Sequence, residues 1–225
     1  MNNMDNNYLY YTNIGNLSDD LFNHALSKVS KYRFDKITKY RNINDKKLSL
    51  CSELLLRRTF EDLNIDSSYI FLFNENNKPY LDDIDIKFNI SHSGNYVVCA
   101  ISLDEVGVDI EEIRDVKHDI AKNFFSLDEN SHLSSISDET HKKETFYRLW
   151  TLKESFIKNI GTGLYLPLKD FSIILDDEIS IKQSFDNNNY YFEEFSIDSS
   201  YKCSLCKMNK KSTLVKWIDV FDLTK

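Results

Sequence analysis

Two short apolar runs, at residues 96–101 and 106–110, constrain the fold of this 225-residue chain more than any other feature. Each run is too short for an ordinary helix and far below the roughly 18 apolar residues of a membrane span. Runs of this length with turn residues on both sides are typical of buried β-strands. The sequence therefore predicts that both segments are buried strands.

Helices and further strands surround this core. Leucine spacing predicts a helix over 44–63, and a longer apolar stripe predicts one over 145–160 that ends at Gly161. Ser18 marks the start of another helix. Residues 115–144 are polar and indicate short helices and loops. Further strands are predicted at residues 8–13, 66–73, 88–93, 171–175, 179–184, 190–195, 201–207 and 214–218.

Charge and cysteine content narrow the class of protein. A net charge of −8 disfavours nucleic acid as a partner, because nucleic-acid binders carry a basic excess. No segment predicts a membrane span, and residues 1–7 lack the layout of a signal peptide. We therefore expect a cytoplasmic protein whose thiols are reduced. Cys203 and Cys206 have CxxC spacing, but their flanks indicate buried strand residues, with zinc binding a distant second.

The second apolar run carries acidic residues on one face. Asp109 and Glu111 are two apart, so in a strand both side chains point the same way, while Val108 and Ile110 point into the core. Such a pair can bind a hard cation such as Mg²⁺. Gly107 would allow another backbone to approach closely. The alternative, slightly favoured on this segment alone, is a solvated acidic edge.

The helix over 145–160 carries charged residues at defined positions. Lys153 falls near the middle of the apolar stripe, so its ammonium must snorkel or meet an anion. Glu154 and Lys158 lie one turn apart on the flank. They are either a surface ion pair or a third metal carboxylate beside a cation that neutralises phosphate charge.

Two other segments could bind phosphate. Ser91, His92 and Ser93 offer hydrogen-bond donors next to a glycine turn, although a lone histidine is more often structural. Residues 28–47 form the concentrated positive patch, which is either a solvated helix face or a site for a phosphate monoester. Together, three carboxylates, a lysine and a histidine describe a site for Mg²⁺-assisted transfer at a phosphoanhydride.

Three ordered motifs resemble those of the Sfp-type 4′-phosphopantetheinyl transferases. They are FNISHSG at residues 88–94, GVDIE at 107–111 and WTLKESFIK at 150–158, the last similar to the WxxKESxxK helix of that family. The resemblance is strong over residues 76–174. It implies transfer of the phosphopantetheine arm of coenzyme A to a serine of an apo carrier protein, with release of adenosine 3′,5′-bisphosphate.

The resemblance also implies roles for individual residues. Asp109, Glu111 and Glu154 would be the Mg²⁺ ligands, and Glu154 the general base for the carrier serine, directly or through water. Lys158 and His92 would contact the diphosphate, with Lys153 a weaker candidate.

The remaining coenzyme A contacts are assigned by the same resemblance. Arg33 and Lys36 match a basic pair that holds the 3′-phosphate, with Ser49 assisting, and Ser91 lies in the phosphate-binding motif. The adenine side would be formed by the turn Asn76, Asn77, Lys78 and Pro79, in which Asn77 replaces a glycine.

The fold that the resemblance implies is α+β: a monomeric pseudodimer of two similar α+β lobes with antiparallel sheets. We expect an N-terminal lobe at residues 1–105 and a C-terminal lobe at 106–225, with coenzyme A between them. Apo acyl or peptidyl carrier proteins would be the partners, contacted through Phe124 and Phe125. The alternatives are a non-catalytic coenzyme A or nucleotide-binding module and a metal-dependent phosphohydrolase.

Overall fold

The computed structural model describes residues 4–65, 71–76, 78–82, 84–115 and 120–225. Its helices are α1 (Asp19–Ala25), α2 (Lys31–Lys39), α3 (Ile43–Asp62), α4 (Ile120–Phe124), α5 (Leu127–Ser135), α6 (Glu139–Ile160) and α7 (Val220–Thr224). Its strands are β1 (Asn7–Asn13), β2 (Phe71–Phe73), β3 (Pro79–Leu81), β4 (Lys87–Ser93), β5 (Tyr96–Ser102), β6 (Val106–Glu112), β7 (Ser172–Leu175), β8 (Ile179–Lys182), β9 (Tyr191–Glu194), β10 (Tyr201–Lys207) and β11 (Thr213–Trp217). Within these ranges, no helix combines the length and the apolar composition needed to span a lipid bilayer.

Two sheets organise the chain. The first has the strand order β11-β1-β5-β4 and the second β6-β10-β9, while β2–β3 and β7–β8 form separate pairs. The predicted α+β fold with antiparallel sheets is confirmed except at one edge, where β11 pairs with β1 in parallel. The last strand therefore lies on the first sheet and not with the strands that precede it. The lobe boundary near Glu105 stays a prediction.

Each sheet is covered by one long helix. On the first sheet, α3 buries an apolar face that includes Leu50, Cys51 and Leu55, which explains its leucine spacing. On the second sheet, α6 buries Leu152 and Phe156. Gly161 ends α6 in the left-handed conformation, with φ 69°, as the sequence predicts.

The predicted elements differ from the observed ones mainly in length. Helix α6 begins six residues earlier than predicted because Asp138 caps it, its side chain accepting a hydrogen bond from the His141 backbone N–H. The basic segment contains a helix of its own, α2, capped by Ser30. Of the strand predicted over 66–73, residues 66–70 lie outside the described part.

Side chains of β4 connect the two sheets. Asn89 Oδ1 accepts a hydrogen bond from Val108 N at 2.9 Å, and Ser93 Oγ accepts one from Glu112 N at 3.2 Å. Ser91 Oγ, midway between them, accepts one from Ile110 N at 3.4 Å. Alternate residues of β4 thus bond alternate amides of β6, which fixes the position of the β6 carboxylates relative to β4.

Candidate active site

The carboxylates predicted to bind metal lie around one cavity of about 330 Å³ between the two sheets. Helix α6 lines it with residues separated by four positions, so that they share one helix face. Strand β6 contributes alternate residues from the opposite side. The lining residues are Ile90, Ser91, His92, Asp109, Glu111, Trp150, Glu154 and Lys158.

Close packing of β6 on α6 brings these carboxylates together. Gly107 is the contact point: a Cβ built there would lie 2.0 Å from Ser155 O and 2.3 Å from Asn159 N. Because only glycine lacks a Cβ, the two elements can approach to this distance only at this residue. The sequence prediction of a close approach at Gly107 is confirmed.

Asp109 is the most buried acid of the site, with 3% of its surface exposed. Its Oδ1 accepts hydrogen bonds from Lys158 Nζ at 2.5 Å and Ser91 Oγ at 2.9 Å. Its Oδ2 is buried and has no hydrogen-bond partner among the described residues. Burying an acceptor without a donor costs free energy, which a ligand at this oxygen would recover. The Oδ2 atom of Asp109 is therefore available to a ligand that enters the cavity.

Ionisation of the two neighbouring acids, Glu111 and Glu154, is also disfavoured. Burial, together with the charge of Asp109, raises the pKa of Glu111 to about 7, although Ser93 Oγ donates a hydrogen bond to Glu111 at 2.7 Å. Burial and Asp109 also raise the pKa of Glu154. Burial raises the pKa of Asp109 itself. Crowded, desolvated carboxylates of this kind are stabilised by a cation.

The basic groups of the cavity come from α6 and β4. Lys158 Nζ donates to Ser91 Oγ at 3.0 Å as well as to Asp109. His92 points away from Ser91 along β4 and is exposed; even so, desolvation of its ring and then the charge of Lys158 lower its pKa. His92 therefore offers a neutral imidazole near neutral pH.

Lys153 is not part of the cavity, contrary to its predicted contact with coenzyme A. It is fully buried, and its Nζ donates to both carboxylate oxygens of Glu129 and to Phe171 O, each at 2.7 Å. The expectation that this lysine meets an anion on the apolar stripe is confirmed. The anion is the carboxylate of Glu129. Lys153 does not line the cavity with Glu154, because adjacent helix positions point about 100° apart.

The turn predicted to hold adenine is used within the protein. Lys78 Nζ donates to Glu105 Oε2 at 2.6 Å and to Asn159 O at 2.8 Å, and Asn76 Nδ2 donates to Gly161 O at 3.0 Å. Lys78 and Pro79 line a separate cavity of about 210 Å³. Asn77 lies outside the described residues.

The predicted phosphate-binding residues on α2 and α3 lie together. Arg33 donates through one terminal nitrogen to Ser49 Oγ at 3.3 Å. Burial and the charge of Arg33 lower the pKa of Lys36, which indicates two cations held close together. Of the predicted carrier contacts, Phe125 is core, whereas Phe124 is 39% exposed and packs edge-on against Trp150.

Sequence reasoning missed three buried polar groups that hold together the elements around this site. Asn89 and Glu129 were not predicted to have a role, and neither was Glu53, which is 2% exposed beside Arg33. The alternation of polar residues along 89–93 was the available signal for Asn89. The local pattern shows only part of the role of the other two. Glu129 completes a capping box that begins at Ser126, and Arg57 lies one turn from Glu53, but the partners Lys153 and Ser30 are distant in sequence.

Comparison with known proteins identifies the family of this chain. The family model described as the 4′-phosphopantetheinyl transferase superfamily matches residues 105–206. The model described as 4′-phosphopantetheinyl transferase, N-terminal, matches residues 16–104. The two matches together cover most of the chain and contain every predicted site residue.

Individual proteins with the same family name are also similar to this chain. The 4′-phosphopantetheinyl transferase gsp of Aneurinibacillus migulanus is 39% identical over 84% of this chain and 80% of its own. The transferase Sfp of Bacillus subtilis (strain 168) is 35% identical over 84% of this chain and 87% of its own. The chain belongs to the 4′-phosphopantetheinyl transferase family.

A solved structure is also similar over part of the chain. The holo-(acyl-carrier-protein) synthase of Bacillus anthracis str. Ames, in complex with CoA, covers 48% of this chain and 96% of its own. Its TM-score is 0.42 and its sequence identity 15%.

Proposed function

We propose that this protein transfers the 4′-phosphopantetheine arm of coenzyme A to a serine hydroxyl of an apo acyl or peptidyl carrier protein. The family assignment supports the reaction type, because the relatives above are named as 4′-phosphopantetheinyl transferases. One structural observation supports it most directly: Asp109, Glu111, Glu154 and Lys158 line a single cavity. Acids and a cation in that arrangement suit a transfer between phosphate oxygens.

The carboxylates fit Mg²⁺ by their chemistry. Asp109, Glu111 and Glu154 offer oxygen ligands, which Mg²⁺ prefers, and the buried Oδ2 of Asp109 has no donor among the described residues. In the described part of the chain, no three acidic, histidine or cysteine side chains already stand in a metal-binding arrangement. Lys158 currently pairs with Asp109, so this pair would have to open. When bound, Mg²⁺ would supply charge neutralisation at the diphosphate.

The protein's own residues would serve the reaction as follows. Glu154 would accept the proton of the carrier serine, directly or through water. Burial and the charge of Asp109 raise the pKa of Glu154, which makes it a stronger base than a free glutamate. The serine oxygen would form a bond to the phosphorus that carries the pantetheine arm. The anhydride bond on the far side of that phosphorus would break, releasing adenosine 3′,5′-bisphosphate. Lys158 and His92 would stabilise the charge on the diphosphate oxygens.

The remaining coenzyme A contacts are also proposed. Arg33, Lys36 and Ser49 would bind the 3′-phosphate, since two adjacent cations and a hydroxyl suit a phosphate monoester. Ser91 would contact the diphosphate region. The turn at residues 76–79 would lie on the adenine side through its backbone, because the side chains of Asn76 and Lys78 are engaged within the protein.

We further propose a cytoplasmic monomer whose partners do not include nucleic acid or membranes. In the described part of the chain all four cysteines are free, which suits a reducing compartment. The net charge of −8 disfavours polyanionic partners. Light scattering coupled to size exclusion would test the monomeric state.

Intact-protein mass spectrometry tests the transfer itself. An apo peptidyl carrier protein incubated with the enzyme, coenzyme A and Mg²⁺ should gain one phosphopantetheine, and EDTA should abolish the gain. Glu154→Gln should abolish transfer while the protein still folds. Glu144→Gln is the matched control, because Glu144 is on the same helix but pairs with Lys202 outside the cavity. Undiminished transfer by Glu154→Gln would refute its role.

The two alternatives give different results in the same assay. A coenzyme A-binding module would bind coenzyme A and modify neither a peptidyl nor an acyl carrier protein. A phosphohydrolase would break down coenzyme A without a carrier. The three carboxylates around one cavity favour the transferase over the binding module, since binding alone does not require all three.

A further inference from the structure

A buried carboxylate on α3 holds the start of α2. Glu53 Oε1 accepts a hydrogen bond from Ser30 N at 2.7 Å, and its Oε2 accepts one from Ser30 Oγ at 2.8 Å. Ser30 is the N-cap of α2, and its Oγ accepts in turn from Arg33 N at 3.2 Å. Glu53 therefore fixes both the backbone and the capping side chain where α2 begins.

Two arginines compete for this carboxylate, and they do so unequally. Arg57, one turn along α3, donates through Nε and a terminal nitrogen to Glu53 Oε1 at 3.0 and 2.7 Å. Arg33 Nε is 3.5 Å from Glu53 Oε2 and makes no hydrogen bond to any described residue. Arg57 is therefore the main ion-pair partner of Glu53. Arg33 is held beside the same carboxylate, but its charge is not neutralised by it.

The orientation of Arg33 matters because Arg33 lies beside Ser49, another predicted contact of the 3′-phosphate, to which it donates a hydrogen bond at 3.3 Å. The charges of Lys36 and Arg33 contribute to lowering the pKa of His92, so both cations lie within electrostatic range of that histidine. Arg33 retains 18% exposure of its side chain, enough for a ligand to reach the guanidinium. An arginine held in this way can bind a phosphate without first paying the entropy of ordering its side chain.

We propose that Glu53 is a positioning residue for the 3′-phosphate of coenzyme A. It acts through Arg33, which it orients by anchoring Ser30 and by lying beside Arg33 Nε. The inference rests on the proposed function, and it makes Glu53 a determinant of the preference for coenzyme A over 3′-dephospho-coenzyme A.

Kinetics with both donors tests the proposal. For wild type and Glu53→Gln, kcat/KM is measured with coenzyme A and with 3′-dephospho-coenzyme A on the same carrier protein. The ratio of the two values should fall about tenfold in Glu53→Gln, because a misplaced guanidinium loses a charge-assisted hydrogen bond. A change that only reduces the folded fraction would lower both values equally and leave the ratio unchanged. Glu61→Gln, an exposed residue of the same helix, should keep the wild-type ratio.

A second variant shows whether Glu53 acts through Arg33. Arg33→Gln should lower the ratio by itself, and the double variant Glu53→Gln/Arg33→Gln should lower it no further. If Glu53→Gln fails to fold, Ser30→Ala tests the same anchor. An unchanged or increased ratio in the single variant, or additive losses in the double variant, would overturn the proposal.

Failure of the proposed function would be recognised separately. If wild type transferred from neither donor, calorimetric titration with adenosine 3′,5′-bisphosphate and with adenosine 5′-monophosphate would replace the kinetics. Glu53→Gln should then weaken only binding of the bisphosphate, by about tenfold. Equal affinities of wild type and variant for the bisphosphate would refute the role of Glu53.

Discussion

Replacing Lys153 by methionine should destabilise the protein without removing a substrate contact. In the structure, this lysine makes three hydrogen bonds of 2.7 Å to Glu129 and Phe171 O, and it also lies over the Phe171 ring at 4.2 Å. The Lys153→Met side chain would fill similar space but leave the Glu129 carboxylate buried without its cation. The family resemblance implied a different role for Lys153, as a weaker candidate for a contact with coenzyme A.

The expected loss of unfolding free energy follows from the burial of Lys153 and Glu129. The side chains of Lys153 and Glu129 are 0% and 1% exposed, so solvent cannot replace the lost partner. Removing one member of a fully buried ion pair costs about 3–5 kcal/mol of unfolding free energy. Glu129 keeps hydrogen bonds from Ser126 N and Ile173 N, so we expect the lower part of that range. This is a large fraction of the roughly 5–15 kcal/mol typical of a folded protein.

Urea unfolding, followed by circular dichroism, measures this loss, and the transfer assay runs on the same samples below the transition. Lys142→Met, on the exposed side of α6, should change stability by less than about 0.5 kcal/mol. The double variant Lys153→Met/Glu129→Gln should lose less than the sum of its single variants, because each single variant leaves a buried partner unpaired. A loss below about 1 kcal/mol in Lys153→Met, combined with abolished transfer, would refute the reasoning and restore the substrate contact.

Three further outcomes follow from the structure. Gly107→Ala should cost at least about 1–3 kcal/mol of unfolding free energy and reduce transfer, because its Cβ would overlap Ser155 O; unaltered urea midpoints and activity would contradict this. Burial and then a hydrogen bond to Asp186 raise the pKa of Tyr190 to about 12. Because the unfolded tyrosine ionises near pH 10, stability should fall as pH rises from about 10 to 12, and less steeply in Tyr190→Phe; parallel pH profiles would be the contrary result. The four buried thiols should react with a thiol reagent only on unfolding, and rapid labelling of the native protein would show otherwise.

Local periodicity determined the elements and much of the site. Spacing of two along 109–111 placed two carboxylates on one face of β6, and spacing of four placed Glu154 beside Lys158 on α6. These relations depend only on the geometry of a strand or a helix, so sequence reasoning recovered them. The family motifs came from a resemblance and not from periodicity, and the glycine at position 107 indicated the close approach.

Tertiary packing alone decided which distant groups meet. Lys153 could have reached either a substrate or a protein acid, and only the position of α5 supplied Glu129 as its partner. Likewise, Glu53 reaches Ser30 only because α2 folds back along α3. Pairing between residues that are far apart in sequence leaves no local pattern, since the backbone geometry of either element is the same with or without its partner. The residue types of the candidate site and their local spacing could therefore be predicted from the sequence, whereas the contacts of Glu53 and Glu129 with distant residues became visible only in the folded chain.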